Sequence, residues 1–163
     1  GVRGWKNVMA NGGAASMVAI AHHLLGGHEW AYFILCSAVS VAASDTLASE
    51  IGSLDPRTRI ITTLEAVPAG TNGGMSPTGT LAAFYGALLI ASVSTILGAI
   101  NGDTTNSVLF FSFVILFGWI GCQIDSILGA LLENRGFLGK HGVNFLSTLS
   151  GCFMALFVAS RLL

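Results

Sequence analysis

The sequence predicts an all-α membrane protein, a polytopic bundle of about five transmembrane helices with one long cytoplasmic loop rich in glycine and proline. Three observations carry that reading. The chain is 53% hydrophobic and only 9% charged, with a mean hydropathy of +0.75. A soluble domain carries about 25% charged residues, so a water-facing surface cannot be covered here. The polar residues cluster at intervals, and the apolar runs between them approach the roughly 20 residues that cross a bilayer. Finally, the 52–79 connection holds all three prolines (Pro56, Pro68 and Pro77) and the run "AGTNGGMSPTG". A long irregular loop in a compact domain is usually functional or disordered.

The first helix is expected from 8 or 13 to 25. Arg3 and Lys6 ahead of it mimic a signal peptide, but no small-residue cleavage site follows. The second is expected over 30–51, the third over 80–100, the fourth over 107–133 and the fifth over 143–163. Short links, "GGHE" and "NGDTTN", join the first to the second and the third to the fourth. Ala82 and Gly86, Gly118 and Cys122, and Gly121 and Gly129 are spaced for close helix contact in lipid. Arg3, Lys6, Arg57, Arg59, Arg135 and Lys140 fall on one side of five crossings and only Arg161 on the other. The positive-inside rule turns that side, with the long loop, toward the cytoplasm, or toward the stromal side in a plastid.

One membrane domain, 1–163, accounts for the chain, because no hydrophilic stretch is long enough for a second. Its start at glycine, without Met, raises the expectation of a fragment of something longer. A net charge of −1 without a basic run gives no reason to expect a nucleic-acid partner, and the oligomeric state is open. Cys36, Cys122 and Cys152 sit in apolar runs without CxxC spacing, as buried thiols do. His22 and His23 point apart on their helix, and with His28 and His141 form no ligand cluster.

Acids inside membrane segments are functional candidates by default, since each costs about 2.5–3.5 kcal/mol at a helix centre on insertion scales. Asp45 lies roughly 10 Å and Asp125 roughly 15 Å inside the cytoplasmic helix ends, at 1.5 Å rise per residue. Gly121 and Gly129 flank Asp125 on one face and are expected to leave space beside it. Glu50 is nearer the surface and about 140° from Asp45 on an ideal helix. Unwinding over 49–52 would bring the two acids together, as broken helices do where they line a polar cavity.

Carboxylates, a glycine-rich loop and arginines at one membrane face suit phosphoryl transfer. Carboxylates hold Mg²⁺, which neutralises phosphate oxygens. Successive backbone N–H groups in "GTNGGMSPTGT" can cradle an anion, and a helix starts directly after them. The run is not a Walker motif. The alternative from another class is a transporter of protons or a small anion using the same acids. Such a path must reach both sides, and the far side offers only Glu29, Asp103 and short links.

The strings "ASDTLASEIG", "PRTRIITTLEAVPAGTNGGMSPTGTLAA" and "GCQIDSILGA" resemble the integral-membrane family catalogued as domain of unknown function 92, whose plant members are phytyl-phosphate kinases. The likeness continues through "VMANGGAAS" and "VNFLSTLSG" and covers nearly the whole chain; Leu47 departs from the Trp of the family, and the resemblance implies N-terminal helices of a longer protein ahead of this region. A more distant similarity runs to phytol and dolichol kinases. The resemblance implies a phosphoryl group passing from a nucleoside triphosphate, CTP in the related lipid kinases, to phytyl or a similar isoprenoid monophosphate. With it, Asp45, Glu50 and Asp125 are expected as catalytic groups and Mg²⁺ ligands. Gly70, Thr71, Asn72, Gly73, Gly74 and Ser76 are expected to hold phosphates, helped by Arg57 or Arg59, with Asn11 and Asn144 completing the cavity.

Overall fold

The computed structural model describes residues 4–27, 30–102 and 107–162. Arg3, His28, Glu29 and Asp103 lie outside the described residues. Five helices follow in the expected order: α1 Trp5–Leu24, α2 Trp30–Gly52, α3 Pro77–Ile100, α4 Ser107–Leu128 and α5 Lys140–Leu162. A π-helical turn, Gly129–Glu133, continues α4. Among the described residues, α2, α3, α4 with its π turn, and α5 are long and apolar enough to cross a membrane. The expectation of about five spans is thus met by five helices, four of which qualify by length and composition. The more polar α1 carries Lys6, Asn7, Asn11 and two histidines, and packs against α2 and α5.

Helix α3 starts earlier than the apolar pattern indicated because Ser76 caps it. The Ser76 backbone is extended (φ −133°), and its hydroxyl accepts a hydrogen bond from the Gly79 N–H at 3.1 Å. Pro77 then occupies the first turn, where its missing N–H costs nothing.

Helix α2 is the hub and contacts all four other helices. The bundle is small inside and large outside. On α3, Ala82, Ala83, Gly86, Ala87 and Ala91 are buried, while Leu81, Tyr85, Leu89, Val93 and Ile100 are exposed. That inversion of the soluble-protein rule is what lipid allows, because tails solvate large apolar groups while small residues bring backbones together. A Cβ on Gly86 would sit 2.9 Å from the Ala43 carbonyl oxygen, and one on Gly151 would sit 2.6 Å from Val41 Cγ2. Gly118 and Gly121 are held still closer, against Ser40 and Val41.

Gly121 therefore opens no space beside Asp125, contrary to the sequence expectation. It is filled by Val41 of α2. Gly129 meets the long loop, where its Cβ would lie 2.9 Å from Gly73 N, yet it also lines a cavity with Asp125, as expected.

The loop is ordered. Strand β1 (Arg59–Ile60) pairs antiparallel with β2 (Gly74–Met75), Arg59 opposite Met75 and Ile60 opposite Gly74. The ends of the bundle differ sharply. One gathers the loop, the C-terminal parts of α2 and α4, and the starts of α3 and α5. Toward the other, Tyr32 stacks on Phe110 at 5.7 Å, and Phe33, Phe113 and Phe117 pack together.

Candidate functional site

A cavity of about 170 Å³ opens at the loop end, over ten times the roughly 10–15 Å³ needed to hold one water. Its walls come from α2, the loop, α3, α4 and α5. Asp45 enters from α2 and Asp125 from α4, both partly buried, and the two carboxyls stand beside each other. Ser147 of α5 is buried, and its hydroxyl lies 2.9 Å from both Asp125 Oδ2 and the Asn144 carbonyl oxygen. Its single proton serves one of them at a time. Lys140 and Asn144, one turn apart on α5, also face the cavity, as do Glu133, Gln123 and Ser126.

Gly70, Thr71, Asn72, Gly73, Gly74 and Ser76 all line this cavity. Several of their groups are already engaged in holding the loop. The Thr71 hydroxyl donates to the Pro68 carbonyl at 2.7 Å, and the Gly74 N–H donates to the Thr71 carbonyl at 2.9 Å. The Asn72 carbonyl accepts from Asn134 Nδ2 at 3.0 Å, which ties the loop to the end of α4. Gly73 (φ +73°) lies so near the π turn that a Cβ would fall 2.5 Å from Ala130 N. A Cβ on Gly74 would meet Thr58 Cγ2 at 2.7 Å. These two glycines let the loop pack against protein, and both also line the cavity. A larger residue at Gly74 is expected to disturb the packing of the loop on Thr58.

Four expected participants stand elsewhere. Glu50 is exposed and does not line the cavity, because α2 runs unbroken through Gly52 and the ideal-helix separation from Asp45 persists. No group of three His, Cys, Asp or Glu able to hold a metal exists among the described residues, so the three-carboxylate set does not form. Arg57 turns to Asp55, with Nε–Oδ1 and Nη2–Oδ2 distances both 3.0 Å. Arg59 donates from Nη1 to the Leu64 carbonyl at 2.8 Å within its own hairpin. Asn11 stands behind the wall, accepting at Oδ1 from Asn144 Nδ2 at 3.1 Å. Asn144 does line the cavity.

Asp55 is the residue that sequence reading missed. It is buried, and besides Arg57 it accepts from the Arg57 N–H, the Thr78 N–H and the Thr78 hydroxyl, the last at 2.8 Å. The bidentate Arg57 guanidinium, helped by Thr78, holds its carboxyl well below the usual carboxylate range. Asp55 thereby ties the start of the loop to the first turn of α3. The signal was present in "DPRT", since an aspartate ahead of proline commonly bonds the backbone two residues on. Lys140 was also passed over. Among the described Lys and Arg residues, it alone lines the cavity.

Comparison with known proteins decides the family. The family described as integral membrane protein DUF92 matches residues 1–152. The chain belongs to that family. An uncharacterized membrane protein of Methanocaldococcus jannaschii is 36% identical over 91% of this chain and 59% of its own length. An uncharacterized membrane protein of Synechocystis is 34% identical over 96% and 60%. The Arabidopsis thaliana protein VTE6, described as chloroplastic, is 30% identical over 100% of this chain and 50% of its own. This DUF92 chain therefore spans about three fifths of the curated relatives first matched. No solved structure matches it.

Proposed function

We propose that the cavity is a phosphoryl-transfer site. In this reading the chain is the core of an isoprenoid-phosphate kinase that passes a phosphoryl group from a nucleoside triphosphate, with CTP the favoured donor, to phytyl or a similar polyprenyl monophosphate. The observation that carries the reading is the convergence of Asp45, Asp125 and Lys140 with a glycine-rich loop in one polar cavity at one end of a membrane bundle. Family membership and the similarity to the chloroplastic protein VTE6 support it.

The donor set fits Mg²⁺. Two adjoining carboxylates repel each other unless a cation or a proton lies between them. Mg²⁺ is typically held by one or two carboxylates plus phosphate oxygens and water, so Asp45 and Asp125 suffice without Glu50. When bound there, the metal supplies neutralisation of phosphate charge. The chain's own groups do the rest. Lys140 draws the anionic substrates to the cavity as a point charge. The Ser147 hydroxyl fixes the Asp125 carboxylate. Asp55, paired with Arg57 and bonded by Thr78, ties the start of the loop to the first turn of α3. An acceptor phosphate is already anionic at pH 7, so the site needs no strong general base. Its task is to bring two polyanions into line, which is a matter of positioning and charge.

The transporter reading finds no matching support. The acids and the cavity of about 170 Å³ lie at the loop end, while toward the far end Phe33 packs against Phe110 and Phe117 and the space beside Ser94 and Thr95 is only about 10 Å³.

The test is to incubate purified protein with Mg²⁺, each common nucleoside triphosphate and either phytol or phytyl monophosphate. Diphosphate is expected from the monophosphate, and most rapidly with CTP. Product from the free alcohol and none from the monophosphate would overturn the choice of acceptor.

The same reading places the cavity on the cytoplasmic side, or the stromal side in a plastid, because Lys6, Arg57, Arg59, Arg135 and Lys140 lie at its end and Arg161 at the other. Thr63 is exposed at the hairpin tip. A cysteine placed there, in a chain lacking its three buried cysteines, should react with an impermeant reagent only from that side. Labelling from the opposite side would invert the orientation.

A further inference from the structure

Asn144 is buried, 6% exposed, and lines the cavity from α5. Its amide has one donating and one accepting end, and only the donating end is used. Nδ2 donates to Asn11 Oδ1 on α1 at 3.1 Å. The backbone carbonyl of Asn144 is also taken, by the hydroxyls of Ser147 and Thr148 at 2.9 and 2.8 Å. The side-chain Oδ1 is buried and has no hydrogen-bond partner among the described residues. A buried carbonyl oxygen without a donor is costly, so such an atom in a folded protein asks for an explanation.

The surroundings supply one. Nδ2 is turned to Asn11 on α1, and the residue lines the cavity together with Asp45, Asp125 and Lys140. Ser147 bridges the two sides physically, standing 2.9 Å from Asp125 Oδ2 and one turn along the same helix from Asn144. Three residues that carry oxygen acceptors, from three helices, thus line one polar space. Acceptors do not satisfy one another. A hard cation would give Asn144 Oδ1 its missing partner and neutralise the two carboxylates at once, since carboxylate and amide oxygens are its ordinary ligands.

We infer that Asn144 Oδ1 is a ligand to the divalent cation held by Asp45 and Asp125, and that Asn11 is a positioning residue that fixes its rotation. The inference rests on the reading of this cavity as a metal–phosphate site and replaces Glu50 with an uncharged oxygen. The consequence is chemical. Two carboxylates and one neutral oxygen leave the bound cation with no excess of protein negative charge, which suits a site that must also accept polyanionic phosphates. A third carboxylate would repel them.

Mn²⁺ serves as the probe, because its free form is counted directly by electron paramagnetic resonance as it is titrated into the detergent-solubilised chain. Asn144→Leu, close in volume but without the oxygen, should weaken Mn²⁺ binding at least as much as the about 10–100-fold typical of losing a group behind a ligand. Asn144→Asp keeps an oxygen and should bind Mn²⁺ as tightly as the wild type or more so, while repelling nucleotide. Asn11→Leu should weaken Mn²⁺ binding about tenfold by freeing the amide to rotate. Unchanged Mn²⁺ affinity in Asn144→Leu, alongside loss of binding in Asp45→Asn, would overturn the role of Asn144 and leave the carboxylate site standing. If Asn144→Leu does not fold, a tenfold weaker affinity in Asn144→Asp overturns the inference on its own. Absence of saturable Mn²⁺ binding by the wild type would overturn both this inference and the metal site beneath it.

Discussion

Asp45→Asn and Asp125→Asn are each expected to lower kcat for phosphoryl transfer by about 10²–10³-fold, the scale of removing one group from a preorganised electrostatic site. The amide keeps the volume of the carboxyl and part of its hydrogen bonding, so helical content should be unchanged. What it removes is charge, and with it the proposed hold on a cation. The carboxyls come from α2 and α4 and adjoin each other in one cavity. They therefore act as a unit, and the double variant should be scarcely slower than the slower single one, since effects within one catalytic unit do not add. Multiplying losses would mean that the two acids serve separate steps. Steady-state kinetics on the three variants, at saturating Mg²⁺, distinguishes the outcomes.

The second large effect is expected at Gly73. Alanine there meets two penalties at once. The backbone at φ +73° is in the left-handed region, and the added carbon would lie 2.5–2.6 Å from the Ala130 backbone. Together these should cost about 2–4 kcal/mol in thermal unfolding or drive the loop off the π turn. Gly70 is the internal control. It has a similar φ of +83° and lines the same cavity, but a Cβ there meets nothing within 4 Å. Gly70→Ala should lose only the backbone term of about 1–2 kcal/mol. Equal losses for the two variants would show that loop packing on the end of α4 does not hold the cavity's shape.

The helices were legible because lipid imposes a coarse rule. A span needs a long apolar run, and this chain offers them separated by short polar links. The pairing of Asp45 with Asp125 was legible for a related reason, as an acid deep in an apolar run demands a partner or a polar space. Glu50 was misplaced because its inclusion required α2 to unwind, and a helix whose backbone bonds are satisfied internally has no reason to do so at Ser49–Gly52 when Gly52 packs on Gly79. Arg57 was misassigned because an arginine near a glycine-rich loop looks like an anion ligand. Its true partner, Asp55, is only two residues away, and burial of that aspartate depends on Thr78, 23 residues on. The π turn at Gly129–Glu133 had no local signature. It is visible only once Gly73 is seen pressing on Gly129 and Ala130. Contacts between distant segments decided the details, while composition decided the class.

In the proposed function this cavity moves a phosphoryl group onto a lipid phosphate. The most direct measurement uses proteoliposomes containing the chain, Mg²⁺, geranylgeranyl monophosphate and CTP labelled with ¹⁸O in the γ-phosphoryl group. Mass spectrometry of the extracted lipid should show the diphosphate carrying the labelled group with the wild type. None should appear above background with Asp45→Asn or Asp125→Asn. Labelled diphosphate formed equally well by the double variant would contradict the account, as would its absence from folded wild-type protein with CTP and every other nucleoside triphosphate labelled in the same way.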